Sequence, residues 1–267
     1  YFLTIGRLEF IPGSIPVGVR LSPIIPFVTI GIREMMILLL ASAIAIIPHE
    51  VAHGAASISD DVDIESAGIF CLAGAILGGF VEISEKFLKE VLNVVRKEFD
   101  ERRRIARRIF AVGVMANIIL LILIYPIIAC YNIIMSPFFE PSGVMIIRVI
   151  DGSPADKANI TANTVIYKIN GTEIRTINDL VNYLSKCKPN QTIVLYTNKG
   201  VYAVRLGSID GRAFLGIVFI QWYRSKIRLI PDEAYYAILN LVYFIYLLQF
   251  IIVVINSIPI FVSDGSK

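Results

Sequence analysis

Histidine is nearly missing from this chain of 267 residues: His49 and His53 are the only two. Any metal chemistry that needs imidazole is confined to one place, and a further ligand has to be a carboxylate, a cysteine or an amide. Cysteine is also scarce. Cys71, Cys130 and Cys187 lie far apart with no C-x-x-C spacing, which argues against a cysteine zinc site and against a disulfide framework. Charged residues are thin at 18%, below the roughly 25% of soluble domains. A net charge of +3, with one dense basic run beside an apolar segment, gives no footprint for nucleic acid, and none is expected as a partner. The opening stretch does not read as a secretory signal, since no basic segment precedes a single apolar core there.

What is present is apolar, 56% of all residues, and the two histidines sit inside it. The stretch is His49-Glu50-Val51-Ala52-His53. Two imidazoles four residues apart on a helix project from one face, one turn apart, so both can ligate one metal ion. A glutamate beside them is placed as general base, the arrangement of the zinc metalloprotease signature. The setting sharpens this reading. From Met35 to Ser59 the only charged residue is Glu50, and the lead-in from Met35 to Ile47 is apolar apart from Ser42. Ionisable groups inside a membrane span are expensive and therefore functional by default.

Three segments reach the roughly 20 apolar residues that a bilayer requires. They are 32–58, 109–135 and 234–262, so the expected fold is a polytopic α-helical membrane protein with at least three core transmembrane helices. A fourth apolar stretch, Ile69 to Val81, is too short for a span and holds three glycines, Gly74, Gly78 and Gly79. It reads as a membrane-associated hairpin over 69–83. Residues 1–31 carry prolines and no clear period, and read as an extracytoplasmic or membrane-surface loop. The chain opens without Met and stops soon after its last apolar run, so a fragment truncated at both ends is expected.

Orientation follows from charge. The run Arg96-Lys97-Glu98-Phe99-Asp100-Glu101-Arg102-Arg103-Arg104-Ile105-Ala106-Arg107-Arg108 is strongly basic and abuts the second span. Basic residues beside a span mark the cytoplasmic side. Residues 59–108 are then cytoplasmic, and the first and third spans both run inward. His49 and His53 fall near the cytoplasmic end of the first span. Asp264, the only acid after Glu233, follows the end of the third span at about the same depth. The topology alone thus brings a carboxylate to the level of the two histidines.

Between the second and third spans the period changes. Val144 to Ile150 reads as a strand ending in Asp151-Gly152-Ser153-Pro154, and Val165 to Gly171 as a strand running into an Asn-Gly hairpin turn. Ile177 to Cys187 is amphipathic at helical spacing. Thr192 to Thr197 and Tyr202 to Leu206 read as closing strands. This order, with "GSPA" and "INGTEI", resembles a PDZ domain over 141–208, an inserted extracytoplasmic α+β domain followed by a connector over 209–233. The chain departs from that family's pattern at Asn163-Thr164, where Gly-Asp is usual, and at Asn159, where Gly is common. Asn-x-Thr sequons at Asn159, Asn170 and Asn190 agree with placement outside the cytoplasm.

Together these pieces resemble the site-2 protease family of intramembrane zinc metalloproteases. "HEVAHG" fits that family's first motif, and Gly78 to Glu82 is similar to a hairpin segment close to "GAFVE". "AVGVMAN", Ala111 to Asn117, resembles the central-span motif, and "NSIPIFVSDG", Asn256 to Gly265, fits the motif that ends in Asp-Gly. Ser263 stands where Leu is usual before Asp-Gly.

The resemblance implies Zn2+ held by His49, His53 and Asp264, with Glu50 activating water. It implies substrate contacts from Asn256 and, along the hairpin edge, from Gly78, Gly79 and Phe80. The implied partners are the lipid bilayer and a membrane-anchored protein already cut by another protease. The implied place is the cell membrane, multi-pass, with the active site near the cytoplasmic face. Two other readings use the same residues: a catalytically silent scaffold of this fold, and a membrane metal transporter, which is expected to carry internal repeats. None is visible.

The topology yields a direct expectation. In intact cells, an impermeant thiol reagent should miss a probe cysteine at Arg104 and reach one at an exposed position of 141–208. The reverse pattern inverts the orientation.

Overall fold

The computed structural model describes residues 31–72, 75–93 and 98–257. Among these, three helices are long and apolar enough to cross a membrane: Ile32–Ser59, Glu101–Ala129 and Ala234–Ser257. The chain divides into two compact units, one formed by the spans and the hairpin, the other by residues 135–235.

In the first unit α1 (Ile32–Ser59) carries the histidines on an otherwise apolar stretch. Pro48, inside this helix, has no N–H and leaves the carbonyl four residues earlier without its helical donor. The helix closes in a Schellman turn. Val62 N–H donates to Ser57 O at 2.9 Å and Asp61 N–H to Ile58 O at 3.2 Å. Asp61 takes the left-handed conformation, φ 53°, that glycine usually fills at this position. This turn reverses the chain into β1 (Ile64–Leu72) and β2 (Ala75–Ile83), which pair antiparallel with Gly68 opposite Phe80. The hairpin begins at Ile64, ahead of the expected Ile69. The polar Glu65 and Ser66 mask its start in the sequence.

After α2 (Glu85–Asn93), α3 (Glu98–Ala129) begins well before the expected Ile109. The basic run is itself helical because Ala106, Ile109 and Phe110 lie on one buried face while Arg103, Arg104 and Arg107 are exposed. The ends of α1 and α3 are clamped by the ion pair Arg108–Asp60, with Arg108 also donating to Ser59 Oγ at 3.3 Å. Ala56, Val62, Ile83, Ala106, Ile109 and Phe110 form one buried cluster beneath them. Helix α3 carries Pro126 in its last turn and stops at Ala129; α4 (Tyr131–Met135) follows as a separate turn, where a continuous span to residue 135 was expected. The last helix, α7 (Ala234–Ser257), buries Phe244, Ile245 and Gln249. The expected end of this span at residue 262, and Asp264 with it, lie outside the described residues, as do residues 1–30.

The second unit holds β3 (Phe139–Val149), α5 (Pro154–Lys157), β4 (Thr164–Ile169), β5 (Thr172–Glu173), α6 (Ile177–Lys186), β6 (Thr192–Thr197), β7 (Gly200–Arg205), β8 (Gly207–Ile209), β9 (Arg212–Phe214) and β10 (Ile217–Ser225). The main sheet runs β10-β3-β4-β6-β7, with β5 beside β4. Its core is Val144, Ile146, Ile166, Ile169, Leu180, Ile193, Leu195 and Val204. Residues 209–233 were expected to be a connector. Instead β10 pairs with β3 along its whole length, from Ile217 opposite Val149 to Ser225 opposite Phe139. The apolar run Ile217 to Ile220 shows no alternation, so its strand character rests on this long-range pairing.

Asn159 and Asn163, the two departures from the glycine pattern, sit at φ 57° and 62°. Asparagine tolerates this region better than other residues with a Cβ, so the turn geometry survives the change. Asn170-Gly171 makes the two-residue hairpin turn, both at positive φ.

Helix α6 opens with a capping box. Asp179 N–H donates to Thr176 Oγ1 at 3.2 Å, and Thr176 N–H donates to Asp179 Oδ2 at 2.8 Å. The Thr176 amide, then its hydroxyl, then Arg175 hold the Asp179 carboxyl below the usual carboxylate range. A lowered folded value means that the stabilisation is whole above the unfolded value and is lost as pH falls through the folded one. Asp179→Ala should therefore speed amide exchange over residues 177–180 at neutral pH, at a cost of about 1 kcal/mol. The gap between variant and wild type should close in acid. A gap independent of pH removes the carboxylate from this role.

Candidate active site

Helix α1 delivers His49, Glu50 and His53 to one place because its two histidines are a turn apart. Both rings are buried, 6% exposed each. Their Nε2 atoms stand 3.0 Å apart, with the ring planes nearly perpendicular. The orientation of His53 is fixed from behind. Its Nδ1–H donates to the Ile109 carbonyl at 2.8 Å, which leaves the Nε2 lone pair facing His49. A carbonyl on the rear nitrogen is the usual support of a metal-binding imidazole.

Helix α3 approaches the rings through Gly113. A Cβ at this position would collide with His53 Nε2 and with the Cε1 atoms of both rings. The absent side chain leaves the space in which the two nitrogens meet. Phe110, one turn earlier on α3, packs edge-on against His53 with centroids 6.3 Å apart.

The hairpin forms the other wall. Strand β2 lies along α1, met at successive turns by Ser42, Ile46 and Glu50. Ser42 Oγ–H is shared between Leu39 O at 2.8 Å and Leu77 O at 2.9 Å. Val81 N–H donates to Glu50 Oε2 at 3.0 Å. Between these two anchors Gly78 is buried against Ile46, and Gly79 lies 4.0 Å from Glu50 Cβ as a Cβ would measure it. The two glycines thus provide close approach of strand to helix. Phe80 instead lines the cavity.

That cavity, about 470 Å³, is lined by His49, Glu50, His53, Glu65, Phe80, Val81, Glu82, Ile83, Glu85, Leu88, Phe110 and Asn256. Five of the expected site residues therefore share it: the two histidines, Glu50, Phe80 and Asn256. Asn256 arrives from α7, two hundred residues away in sequence from the histidine helix. The third expected ligand, Asp264, lies outside the described residues. Among the described residues no group of three His, Cys, Asp or Glu side chains gathers to hold a metal. Sequence reasoning did not assign Gly113, the Ile109 carbonyl or the Val81 amide. Gly113 had a signal, a glycine inside an apolar span, which marks close packing of helices. The two backbone groups had none.

A family model for "Peptidase family M50" matches residues 36–267. The chain belongs to this family. M50 membership implies a membrane metallopeptidase, and the donor set fits one: two buried imidazoles with converging nitrogens, one oriented from behind, and a carboxylate beside them. A relative, "Uncharacterized protein MJ0971" of Methanocaldococcus jannaschii, is 26% identical over 230 residues, 85% of this chain and 54% of that protein. The chain thus spans about half the length of the curated relative it matches.

Among solved structures, the PDZ domain of an SdrC-like protein from Listeria monocytogenes is similar to 30% of this chain, over 88% of its own length. The identity is 24% and the TM-score 0.28. The corresponding domain from Listeria innocua is similar to 29% of this chain over 92% of its length, also at 24% identity, with a TM-score of 0.27.

Gly113 supplies the test of this geometry. Gly113→Ala should push the rings apart and lower zinc affinity by at least the ~10-fold seen when a supporting contact of a ligand is lost. Zinc content of the purified variant, with its helical content unchanged, reads the effect. Wild-type affinity in Gly113→Ala means that the rings do not hold the metal where they stand.

Proposed function

We propose that this M50 chain is an intramembrane zinc metalloprotease of the site-2 type. Its substrate is a membrane-anchored protein, already trimmed by another protease, and it cuts within or near the transmembrane segment. The observation that carries this reading is the cavity that His49, Glu50, His53 and Asn256 share beside an apolar helix. The protein sits in the cell membrane as a multi-pass chain, with the cavity toward the cytoplasm and the PDZ-like unit outside, as the basic run 96–108 suggests.

His49, His53 and Asp264 are the residues that would hold zinc. When bound there, zinc supplies a Lewis acid that polarises a carbonyl and lowers the pKa of water toward neutrality. Glu50 takes the proton of the attacking water and returns it to the leaving amine, as a carboxylate beside the reacting atoms can do in both steps. The amide of Asn256 hydrogen-bonds the backbone of the substrate, fixing the scissile bond against the cavity wall. A substrate helix has its carbonyls engaged internally and must unwind before attack. The hairpin of β1 and β2 offers an extended partner for the unwound segment.

The Glu50–Val81 hydrogen bond fits the role of Glu50 as base. It holds the carboxylate at the cavity wall and orients one oxygen, leaving the other for water. The PDZ-like unit serves as a filter on the size of the substrate's outer portion.

Two variants test the assignment of roles. Glu50→Gln should keep zinc while losing cleavage of a membrane-anchored reporter, and Asp264→Ala should lose zinc affinity by at least ~10-fold. Cleavage by Glu50→Gln with zinc bound removes the base. Unchanged zinc in Asp264→Ala removes the third ligand.

A further inference from the structure

Leu229, 92% exposed, is the most exposed large apolar side chain among the described residues. It stands on the turn between β10 and α7, far in sequence from the histidines, with Ile227 38% exposed two residues before it. The turn is held in place from several directions. Lys226 N–H donates to Phe138 O at 2.8 Å, Ser225 N–H to Asp232 Oδ1 at 2.8 Å, and Ile230 N–H to Ile227 O at 3.0 Å. Ile227 N–H donates to Ser225 Oγ at 3.1 Å, and that hydroxyl donates to Ile227 O at 2.9 Å. A backbone tied down in this way presents Leu229 outward by construction.

The surroundings say what covers it. Lys226 and Arg228 alternate with Ile227 and Leu229 and are exposed, and Lys226 Nζ also donates to Ser136 O at 2.9 Å. Asp232 is engaged by the Ser225 amide, and Glu233 follows at the mouth of α7. Ser136 and the half-exposed Phe138 come directly after α4, so the turn is fastened to the chain leaving one span while it leads into the next. Ala234, the first residue of the apolar α7, is five residues beyond Leu229, a reach of at most about 18 Å. A lone exposed leucine needs no explanation. A turn tied down in this way, with isoleucine and leucine alternating with two cations a few residues before an apolar span, fits a lipid interface.

We propose that residues 226–230 dock onto the membrane that α7 crosses. Leu229 and Ile227 enter the boundary between headgroups and acyl chains, and Lys226 and Arg228 meet lipid phosphates. The proposal rests on α7 spanning a bilayer and not on the catalytic roles given above. The contact anchors the link that leads from β10 into α7 at the bilayer surface.

The test uses the full chain in nanodiscs of phosphatidylcholine with a minority of phosphatidylglycerol. Trp222 is the only tryptophan, so Trp222→Phe combined with Leu229→Trp places a single reporter on the turn. The expected result is blue-shifted emission, quenched by acyl-brominated lipid and shielded from aqueous iodide. Adding Lys226→Gln and Arg228→Gln should weaken the quenching by brominated lipid. Emission quenched by iodide and not by brominated lipid overturns the proposal. So does shielding from both quenchers, which means that protein covers the turn. Should the tryptophan pair fail to fold, a spin label at Leu229→Cys, with the three native cysteines replaced by serine, gives the same two outcomes through oxygen and nickel-chelate accessibility.

Discussion

A β-strand lying along an apolar helix has an edge of N–H and C=O groups that must find partners in protein. In this chain the partners come from helix α1 itself. Ser42 takes up the Leu77 carbonyl and Glu50 the Val81 amide, two turns apart on one stripe. Gly78 and Gly79 let the backbone come close enough for both bonds to form. The site depends on this seam. It sets where the strand stands against Glu50, encloses one side of the cavity, and explains why the only polar residue in the lead-in to the histidines is a serine.

The seam also accounts for the uneven legibility of the sequence. The histidine pair, the glutamate and the three spans could be read directly, because periodicity and hydropathy act locally. Asn256 was reached through a motif resemblance, and it does line the same cavity. The start of the hairpin at Ile64 was missed because Glu65 and Ser66 break the apolar run, although strands tolerate such residues at an exposed edge. Strand β10 was missed for a different reason. An apolar stretch without alternation carries no strand period, and only pairing with β3 at the opposite end of the domain decides it. Gly113 was visible as a residue and opaque as a function, since the atoms it makes room for belong to another helix.

The second unit shows how little a local departure can cost. Asn159 and Asn163 replace glycines of the related pattern, yet both hold the left-handed conformation. The left-handed backbone is kept here by a residue that carries a Cβ.

The pairing of β10 with β3 has a geometric consequence for the whole chain. Phe139 and Ser225, where the domain begins and ends, are opposite one another in the ladder, about 5 Å apart. The polypeptide thus enters and leaves the sheet at neighbouring points, so the two ends of an 87-residue stretch are joined by the ladder itself.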